Sequence, residues 1–456
     1  MIKPVLLWSD ALILLLLASV ALLVWLMRNN ATLRAPWRQV MASKMGAATG
    51  LILAVYVGIG LLDSLHYVER LPSTPGQATQ YSGEVRSVLD VLLRPLHENV
   101  EKTYSAPFAT HLYAKETMPG PDGREIRDYP RLKHGGAHLA DVANDFWPDV
   151  LQRAASGLLG GLAVWGVWLG LRGRLPFGGQ AKGQAKPRPL NITLLVLLLI
   201  AGMLIALAPH YHVLGTDKVG QDVLYLSLKS IRTGLLIGSL TTLIMLPFAL
   251  GLGIAAGYFG GRIDDVIQYL YTTLNSIPGV LLIAAAVLVV QVQIEANAAW
   301  FETAAARSDV RLLALCFILG VTGWTGLARL LRAEVLKLRE LEFVQAARAF
   351  GVTDARIVLR HLLPNVMHLV LISVVIDFSG LVLAEAVLSY VGVGVDPAMT
   401  SFGNMINGAR LELAREPVVW WQLAAAFVFM FVLVLAANLF ADQVRDALDP
   451  KSRGRA

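Results

Sequence analysis

The chain has 456 residues, of which 55% are hydrophobic and only 16% are charged, and its mean hydropathy is +0.58. A soluble domain needs far more charge, so the composition excludes a soluble protein and indicates a polytopic membrane protein. The net charge of +6 would suit a nucleic-acid-binding protein. Basic residues in a membrane protein more often set its orientation, however, and we expect no nucleic-acid partner.

Apolar segments long enough to cross a bilayer recur along the chain. A spanning helix needs roughly 20 apolar residues, and we count about nine such segments. They lie at residues 8–27, 46–66, 151–171, 190–208, 233–257, 267–291, 311–328, 367–391 and 420–441. The first is interpreted as a retained helix, because its apolar core is long and no small-x-small cleavage site follows it. The sequence therefore predicts an all-α polytopic fold surrounded by membrane lipid.

The spans divide into two groups. Residues 1–175 hold three spans and a long outer segment at about 67–149. Residues 176–189 are rich in Gly, Lys and Pro, which is typical of a flexible cytoplasmic linker. Residues 190–456 hold the other six spans. We therefore predict an N-terminal extension, a linker and a six-span core.

Basic residues mark one side of the membrane. Lys and Arg occur without acids at 28–44 and 172–188, and the C-terminal tail is also basic. By contrast, the loop at 292–310 carries three acids and one arginine. The positive-inside rule then places the N-terminus outside and the C-terminus in the cytoplasm.

A tight outer loop is predicted at residues 212–223, just after the fourth span. Its glycines allow backbone bends, and its Thr and Asp side chains can bond exposed amides. The residues concerned are His212, Gly215, Thr216, Asp217, Gly220 and Asp222. We expect this loop to be structural rather than to contact a substrate.

The sixth and eighth spans carry the candidate pore residues. The first half of the sixth is polar, and polar groups in hydrocarbon are costly unless they face a cavity or another helix. Asp377 and Glu385 lie eight residues apart in the eighth span, roughly on one face, where an acid costs about 2.5–3.5 kcal/mol. Each acid either meets a cationic substrate amine in a cavity or pairs with a neighbouring helix, and Glu385, near the outer end of the span, could instead snorkel to the membrane surface. The other pore candidates are Tyr269, Thr272, Asn275, Ser276 and Pro278.

A charged two-helix hairpin is predicted over residues 342–364, between two long apolar segments. In its first half, Phe343, Val344, Ala347 and Phe350 share one face at helical spacing. Gly351 then stands where a helix C′ residue is needed. The segment is too polar to cross a bilayer and too regular to be a slack connector.

The second half of the hairpin begins at Thr353, which can cap a new helix. Ile357, Leu359 and Leu362 are expected to turn inward from that helix. Pro364 is expected to stop it as the next apolar run begins.

The hairpin resembles the cytoplasmic EAA loop of ABC-importer permeases, which reads Glu-Ala-Ala, three residues, Gly, nine residues and Ile-x-Leu-Pro. Here Gln-Ala-Ala at 345–347, Gly351 and Leu-Pro at 363–364 stand at those spacings. Two positions depart from the pattern, since Gln345 replaces Glu and His361 stands where Ile is usual. The whole EAA-like coupling loop would cover about 333–366.

Four further motifs resemble the dipeptide/oligopeptide/nickel permease family. They are the His-x-Leu-Gly-Thr-Asp segment at 212–223, Gly-Tyr-Phe-Gly-Gly at 257–261, the run at 389–405 and Arg-Asp-x-Leu-Asp-Pro at 445–450. In the first, Gln221 replaces the family's Arg. The resemblance covers residues 212–450, in the family's order.

This resemblance implies the permease subunit of an ATP-driven ABC importer for peptides or similar small solutes, in a bacterial or archaeal cytoplasmic (inner) membrane. The implied fold is a six-helix permease core preceded by about three extra transmembrane helices and an extracytoplasmic segment. The implied partners are a second permease forming a heterodimer, two ABC ATPase subunits and an extracytoplasmic solute-binding protein. The implied ATPase-coupling residues are Glu342, Gln345, Ala346, Ala347, Gly351, Asp354, Arg356, Arg360 and Pro364.

The sequence contains no Gly-x-x-x-x-Gly-Lys-[Ser/Thr] phosphate loop and no metal-ligand spacing. We therefore expect no enzyme activity, no metal and no cofactor on this chain, with ATP and Mg bound by partner subunits. The alternatives are a proton-coupled secondary transporter using Asp377 and Glu385, a membrane-embedded enzyme and a structural assembly factor. Secondary transporters usually show internal repeats, and no clear repeat is found between 190 and 456.

Overall fold

The computed structural model describes residues 2–28, 31–70, 81–119, 125–172, 188–301 and 303–448. The predicted linker at 176–189 lies outside this part of the chain except for its last two residues, which begin a helix. The last two residues of the motif at 445–450 also lie outside it.

Helices form most of the described chain, which confirms the predicted all-α architecture. In chain order they are α1 (Trp8–Arg28), α2 (Ala31–Ala42), α3 (Lys44–Asp63), α4 (Val88–Leu92), α5 (Arg94–Glu98), α6 (Val142–Arg172), α7 (Arg188–Leu207), α8 (Val223–Phe259), α9 (Gly261–Ser276), α10 (Gly279–Ala296), α11 (Ala304–Gly323), α12 (Thr325–Leu338), α13 (Glu342–Ala349), α14 (Asp354–Ile357), α15 (Leu363–Val391), α16 (Phe402–Arg410) and α17 (Trp421–Leu448).

Two small sheets add to the helices. Strands β1 (Ile2–Val5), β2 (His66–Arg70) and β3 (Tyr81–Ser87) form an antiparallel sheet in that order. Strands β4 (Glu116–Pro119) and β5 (Glu125–Asp128) form an antiparallel pair. Strands β2 to β5 lie within or at the border of the predicted outer segment, for which the sequence pattern predicted no strands.

Eight described helices are long and apolar enough to cross a bilayer. They are Lys44–Asp63, Val142–Leu171, Pro189–Leu207, Val223–Phe259, Gly279–Ala296, Ala304–Leu338, Asp354–Val391 and Trp421–Ala447. A shorter apolar helix, Trp8–Leu22, lies at the first predicted span. The chain is therefore a multi-pass membrane protein, as its composition predicts.

The prediction of a sixth span at 267–291 is wrong for the first half of that segment. The helix breaks at Ile277, whose φ of −93° and ψ of 132° are extended. Pro278 explains the break, because the residue before a proline avoids the helical region and proline has no N–H for the helix ladder. The spanning helix is α10, and the polar residues before the break lie on the separate helix α9.

The described chain forms two compact units. Unit 1 comprises Met1–Val5, Met41–Arg232 and Thr400–Ala436. Unit 2 comprises Leu6–Val40, Thr233–Met399 and Ala437–Ala456. The sequence-based division into 1–175 and 190–456 groups the predicted spans on either side of the linker, whereas these two units are defined by contacts in space. The sequence-based division therefore stays a prediction.

Unit 1 combines membrane helices with the small sheets. Helices α6 and α7 pack along each other, and α3 packs against α7. At the junction of β3 and α4, Ser87 accepts a hydrogen bond from the backbone N–H of Asp90 while the Asp90 carboxylate accepts one from the N–H of Ser87. This capping box satisfies two amides that the helix itself cannot bond.

Unit 2 has two buried apolar clusters. One joins α8, α10, α11 and α15 around Leu236, Leu315 and Leu388. The other lies beneath the predicted hairpin and joins α8, α9, α12, α13, α14 and α15; its members include Tyr258, Ile267, Val335, Val344, Ile357, Leu362 and Val366. The second cluster positions the candidate site.

Candidate functional site

The turn of the hairpin has the conformation that the glycine predicts. Gly351 follows α13 with a φ of +72°, and it donates a hydrogen bond to the Arg348 carbonyl at 3.0 Å. Val352 donates to the Ala347 carbonyl at 3.1 Å, which ties the reversed chain back to the helix end. A left-handed residue with a side chain would be strained here, so glycine suits this turn best.

The inward face of α13 is narrower than the sequence pattern predicts. Val344 is buried and Ala347 packs against the cluster beneath it. Phe343 is 45% exposed and Phe350 is 87% exposed, so of the four residues predicted to share one face, only Val344 and Ala347 reach the cluster. A helix of eight residues makes about two turns, and only a narrow stripe of it reaches the core.

The second arm of the hairpin is α14. Thr353 has the extended backbone of an N-cap residue, but its hydroxyl makes no capping bond. Ile357 and Leu362 are fully buried, as predicted. Leu359 is 65% exposed, so the prediction that it turns inward is wrong.

Pro364 does not stop the second arm, contrary to the prediction from sequence. A π-helical turn, Val358–Leu362, connects α14 to α15, and Leu363 donates its N–H to the Val358 carbonyl five residues back. In an α-helix the proline ring would clash with the carbonyl four residues earlier, and the wider π turn before it relieves this. The second arm and the eighth predicted span therefore form one continuous helical path.

Tyr258 binds both arms of the hairpin. It lies in the last turn of α8 and is 2% exposed. Its hydroxyl donates a hydrogen bond to Oδ1 of Asp354 at 2.6 Å. The Arg348 guanidinium lies 5.0 Å from the centre of its ring, within cation–π range. In the sequence, Gly-Tyr-Phe-Gly-Gly was recognised only as a family motif, and this role of Tyr258 was missed. Its one signal was an aromatic residue at the end of an apolar helix.

An ion pair supports the base of the hairpin. Arg332 of α12 donates two hydrogen bonds to the Asp264 carboxylate of α9, at 2.5 and 2.6 Å. These bonds from Arg332 hold the pKa of Asp264 below its usual range. A Cβ at Gly257 would lie 2.8 Å from the Arg332 carbonyl oxygen, so glycine lets α8 approach α12 closely.

The remaining predicted coupling residues lie on the outer surface of the hairpin. Exposed side chains there are Glu342, Gln345, Ala346, Asp354, Arg356, Arg360 and Pro364. Gln345 donates a hydrogen bond from Nε2 to the Glu340 carbonyl at 3.2 Å, which fixes the start of α13. The hairpin thus presents a surface on which acids, arginines and apolar side chains are mixed, with the exposed Phe350 at its turn.

The polar pore candidates lie on α9 rather than in a spanning helix. Tyr269 is 73% exposed, and Thr272 and Ser276 are also exposed. Asn275 accepts a hydrogen bond from the Thr325 hydroxyl at 3.2 Å, which ties α9 to α12. Pro278 marks the break before α10.

The two acids of the eighth predicted span have different surroundings. Glu385 is 2% exposed and accepts a hydrogen bond from Ser389 at 2.7 Å. Asp377 is half-buried and makes no hydrogen bond or ion pair with any residue that the structure describes. Glu385 is therefore bonded to a residue of its own helix, whereas no described residue bonds Asp377.

In unit 1, the outer loop at 212–223 is built around a buried histidine. Nδ1 of His212 lies 2.8 Å from Asp222, and Nε2 lies 3.4 Å from Glu101. Glu101 also accepts hydrogen bonds from the backbone N–H groups of residues 133–135. Burial would raise the pKa of Glu101, but these bonds lower it to about 2. Burial would lower the pKa of His212, but Asp222 and Glu101 raise it to about 9.

The other loop residues bond the outer segment and the loop itself. Thr216 donates its hydroxyl to the Thr103 carbonyl at 2.9 Å, and its own carbonyl accepts the Trp421 indole N–H at 2.9 Å. The Asp217 carboxylate accepts hydrogen bonds from two backbone N–H groups of its own loop. Gly215 and Gly220 both have positive φ. This geometry agrees with a structural loop, and Glu101 is the partner that the sequence pattern missed.

Known proteins resemble the core of the chain. The pattern of the family described as "Binding-protein-dependent transport system inner membrane component" matches residues 249–454. The oligopeptide transport system permease protein OppC of Mycobacterium tuberculosis (strain ATCC 25618 / H37Rv) is 33% identical over 242 residues, which are 53% of this chain and 77% of that protein. The dipeptide transport system permease protein DppC of Bacillus subtilis (strain 168) is 30% identical over 242 residues, 53% of this chain and 69% of that protein.

Among solved structures, a chain of the inward-facing MetNI methionine ABC transporter is 18% identical. The match covers 50% of this chain and 98% of that chain. Its TM-score is 0.37, which is too low to support a structural comparison.

We predict that replacing Tyr258 by Phe loosens the hairpin without unfolding the protein. The ring stays in the cluster, but the hydrogen bond to Asp354 is lost. A hydrogen bond to a charged group contributes about 1.5 kcal/mol to stability. Amide hydrogen exchange over 342–364 should then be about tenfold faster. Tyr269→Phe is the control, because that ring is exposed. Equal exchange in Tyr258→Phe and wild type would contradict the anchoring role.

We also predict that His212 stabilises the protein in a pH-dependent way. Because its pKa is raised to about 9, its contribution is complete below about pH 6.5 and is lost as the pH rises through about 9. The difference in free energy of unfolding between wild type and His212→Gln should be on the order of 3 kcal/mol at pH 6 and much smaller at pH 10. Thermal unfolding at both pH values measures it, with the exposed His111→Gln as control. A difference that stays constant from pH 6 to pH 10 would refute the ion-pair account.

Proposed function

The chain belongs to the family of binding-protein-dependent transport system inner membrane components, and from this premise we propose that it serves an importer of peptides or similar small solutes. As a family member it is a permease subunit of an ABC importer and not itself an enzyme. The named functions of its relatives, oligopeptide and dipeptide transport, support the proposed substrate class. The proton-coupled alternative has no support from the relatives.

ATP hydrolysis then belongs to separate subunits. The sequence has no phosphate loop, so the force for transport has to reach this chain through a contact surface. We assign that surface to the hairpin 342–364, which would face the cytoplasm. The observation that carries the proposal is the exposed Phe350, at 87%, on a hairpin whose two arms both contact Tyr258, one through a hydrogen bond and the other through a cation–π contact.

The hairpin is connected to two spanning helices, α8 and α15, and can transmit motion to both. Its second arm continues through the π turn into α15, so a displacement of α14 carries the spanning helix with it. Its bonds to Tyr258 pass the same displacement to α8. Closure of an ATPase pair around the hairpin would thereby move two spanning helices as a rigid body, a recurring kind of switching transition.

The remaining partners follow from the family. We propose a second permease forming a heterodimer, two ABC ATPase subunits that bind ATP and Mg, and an extracytoplasmic solute-binding protein. The chain would lie in a bacterial or archaeal cytoplasmic membrane, with its N-terminus outside and its C-terminus and hairpin inside. Under this orientation, the loop 212–223 lies on the side from which the binding protein delivers solute.

We predict that Gly351→Val uncouples transport without preventing membrane insertion. A β-branched residue at a φ of +72° is strained by about 1–3 kcal/mol, which distorts the turn between the arms. ATP-dependent uptake of a labelled tripeptide by whole cells should fall about tenfold, at normal abundance in the membrane. Gln345→Ala should be milder, because the usual carboxylate is already absent there.

The matched control is Gly326→Val. Gly326 lies exposed on α12, where an added Cβ meets no atom within 4 Å, so the variant should transport normally. Wild-type uptake by Gly351→Val, or equal loss in both glycine variants, would contradict the coupling role.

A further inference from the structure

A single acid lies at the centre of the helix that continues the hairpin. Helix α15 has 29 residues, and Asp377 lies 14 residues from either end. At 1.5 Å per residue this places its Cα about 21 Å from each end of the helix. A charge at that depth in a bilayer is costly unless it faces protein, water or a ligand.

The two residues after Asp377 show which way it points. The Phe378 ring lies against α8, 2.4 Å from where a Cβ on Gly238 would be. The Ser379 hydroxyl donates a hydrogen bond to Asn438 of α17 at 2.8 Å. Successive residues of a helix are rotated by about 100°, so Asp377 lies about 100° from the side of α15 that contacts Gly238 and about 160° from the side that contacts Asn438.

The face that Asp377 occupies is partly covered, because Val374 and Leu381, one turn before and after it, pack against the two apolar clusters of unit 2. The side of the helix next to it is open. Ile376 is 55% exposed. A Cβ built on Gly380, one turn further along the same face, would meet no atom within 4 Å. The carboxylate therefore stands beside open space, and no described residue bonds it.

We propose that Asp377 lines the solute path and binds the ammonium group of the passing peptide. This inference rests on the proposed function, because a free α-ammonium is the cation that every unblocked peptide carries. Glu385 is excluded from the role, since it is buried and bonded to Ser389. A single carboxylate suits a transport path, where a site has to bind the solute and also release it.

The connection with the hairpin adds a reason for this position. Asp377 lies on the same continuous helical path as Asp354, through the π turn at Val358–Leu362. A displacement of the hairpin would therefore move the carboxylate relative to helices of the partner permease. The solute would meet Asp377 in one state of the transporter and leave it in the other.

The test uses the complete transporter in proteoliposomes, with its binding protein, and two probes: trialanine and N-acetyl-trialanine. Import rates are measured for wild type, Asp377→Asn, Asp377→Glu and the exposed control Asp128→Asn. For each probe the variant rate is divided by the wild-type rate, so selection by the shared binding protein cancels. We expect Asp377→Asn to lower trialanine import about tenfold and to leave N-acetyl-trialanine import unchanged, while Asp377→Glu and Asp128→Asn keep the wild-type rates for both.

Equal loss for the two probes in Asp377→Asn, or no loss for trialanine, would overturn the assignment. If wild type rejects N-acetyl-trialanine altogether, the trialanine rates decide: a fall in Asp377→Asn with retention in Asp377→Glu supports the ammonium site, and a fall in both contradicts it. If wild type imports neither probe while hydrolysing ATP in response to its binding protein, the peptide substrate class itself is wrong, and the ammonium site fails with it.

Discussion

One buried ring holds the cytoplasmic end of unit 2 together under the proposed orientation. Tyr258 is bonded to Asp354 in one arm of the hairpin and lies against Arg348 in the other, while its own helix crosses the membrane. The first arm, α13, has only eight residues, and isolated helices of that length are marginal in water, whereas the second arm continues into α15. The hairpin therefore keeps its conformation because it packs on the apolar cluster of the helices beneath it and is hydrogen-bonded to Tyr258.

The π turn at Val358–Leu362 joins the second arm of the hairpin to the spanning helix α15. Without it, Pro364 would kink or break the helix between α14 and α15. With it, Asp354 and Asp377 belong to one helical path. The coupling proposed for the hairpin and the ammonium site proposed at mid-membrane thus depend on the same local departure from α-helical geometry.

Sequence reasoning succeeded where the cause is local. Apolar length predicted the spans, and the position of Gly351 predicted the left-handed turn. It failed where the outcome depends on an unusual backbone, since the effect of Pro364 required the π turn. It also failed at Leu359, which lies two residues and about 200° from the buried Ile357 and therefore on the opposite face. The Glu101–His212 contact joins residues 111 positions apart, and no local pattern indicates such a pair.

The most direct test of the account is a mild-detergent pull-down of the complete chain from its native membranes, with partners identified and quantified by mass spectrometry. Wild type is compared with Phe350→Asp, which charges the exposed tip of the hairpin and leaves the buried cluster intact. The account predicts that wild type recovers a second permease and P-loop ATPases in stoichiometric amounts, and that Phe350→Asp loses the ATPases and keeps the permease. Full recovery of the ATPases by Phe350→Asp, or their absence from a well-folded wild-type preparation, would contradict it.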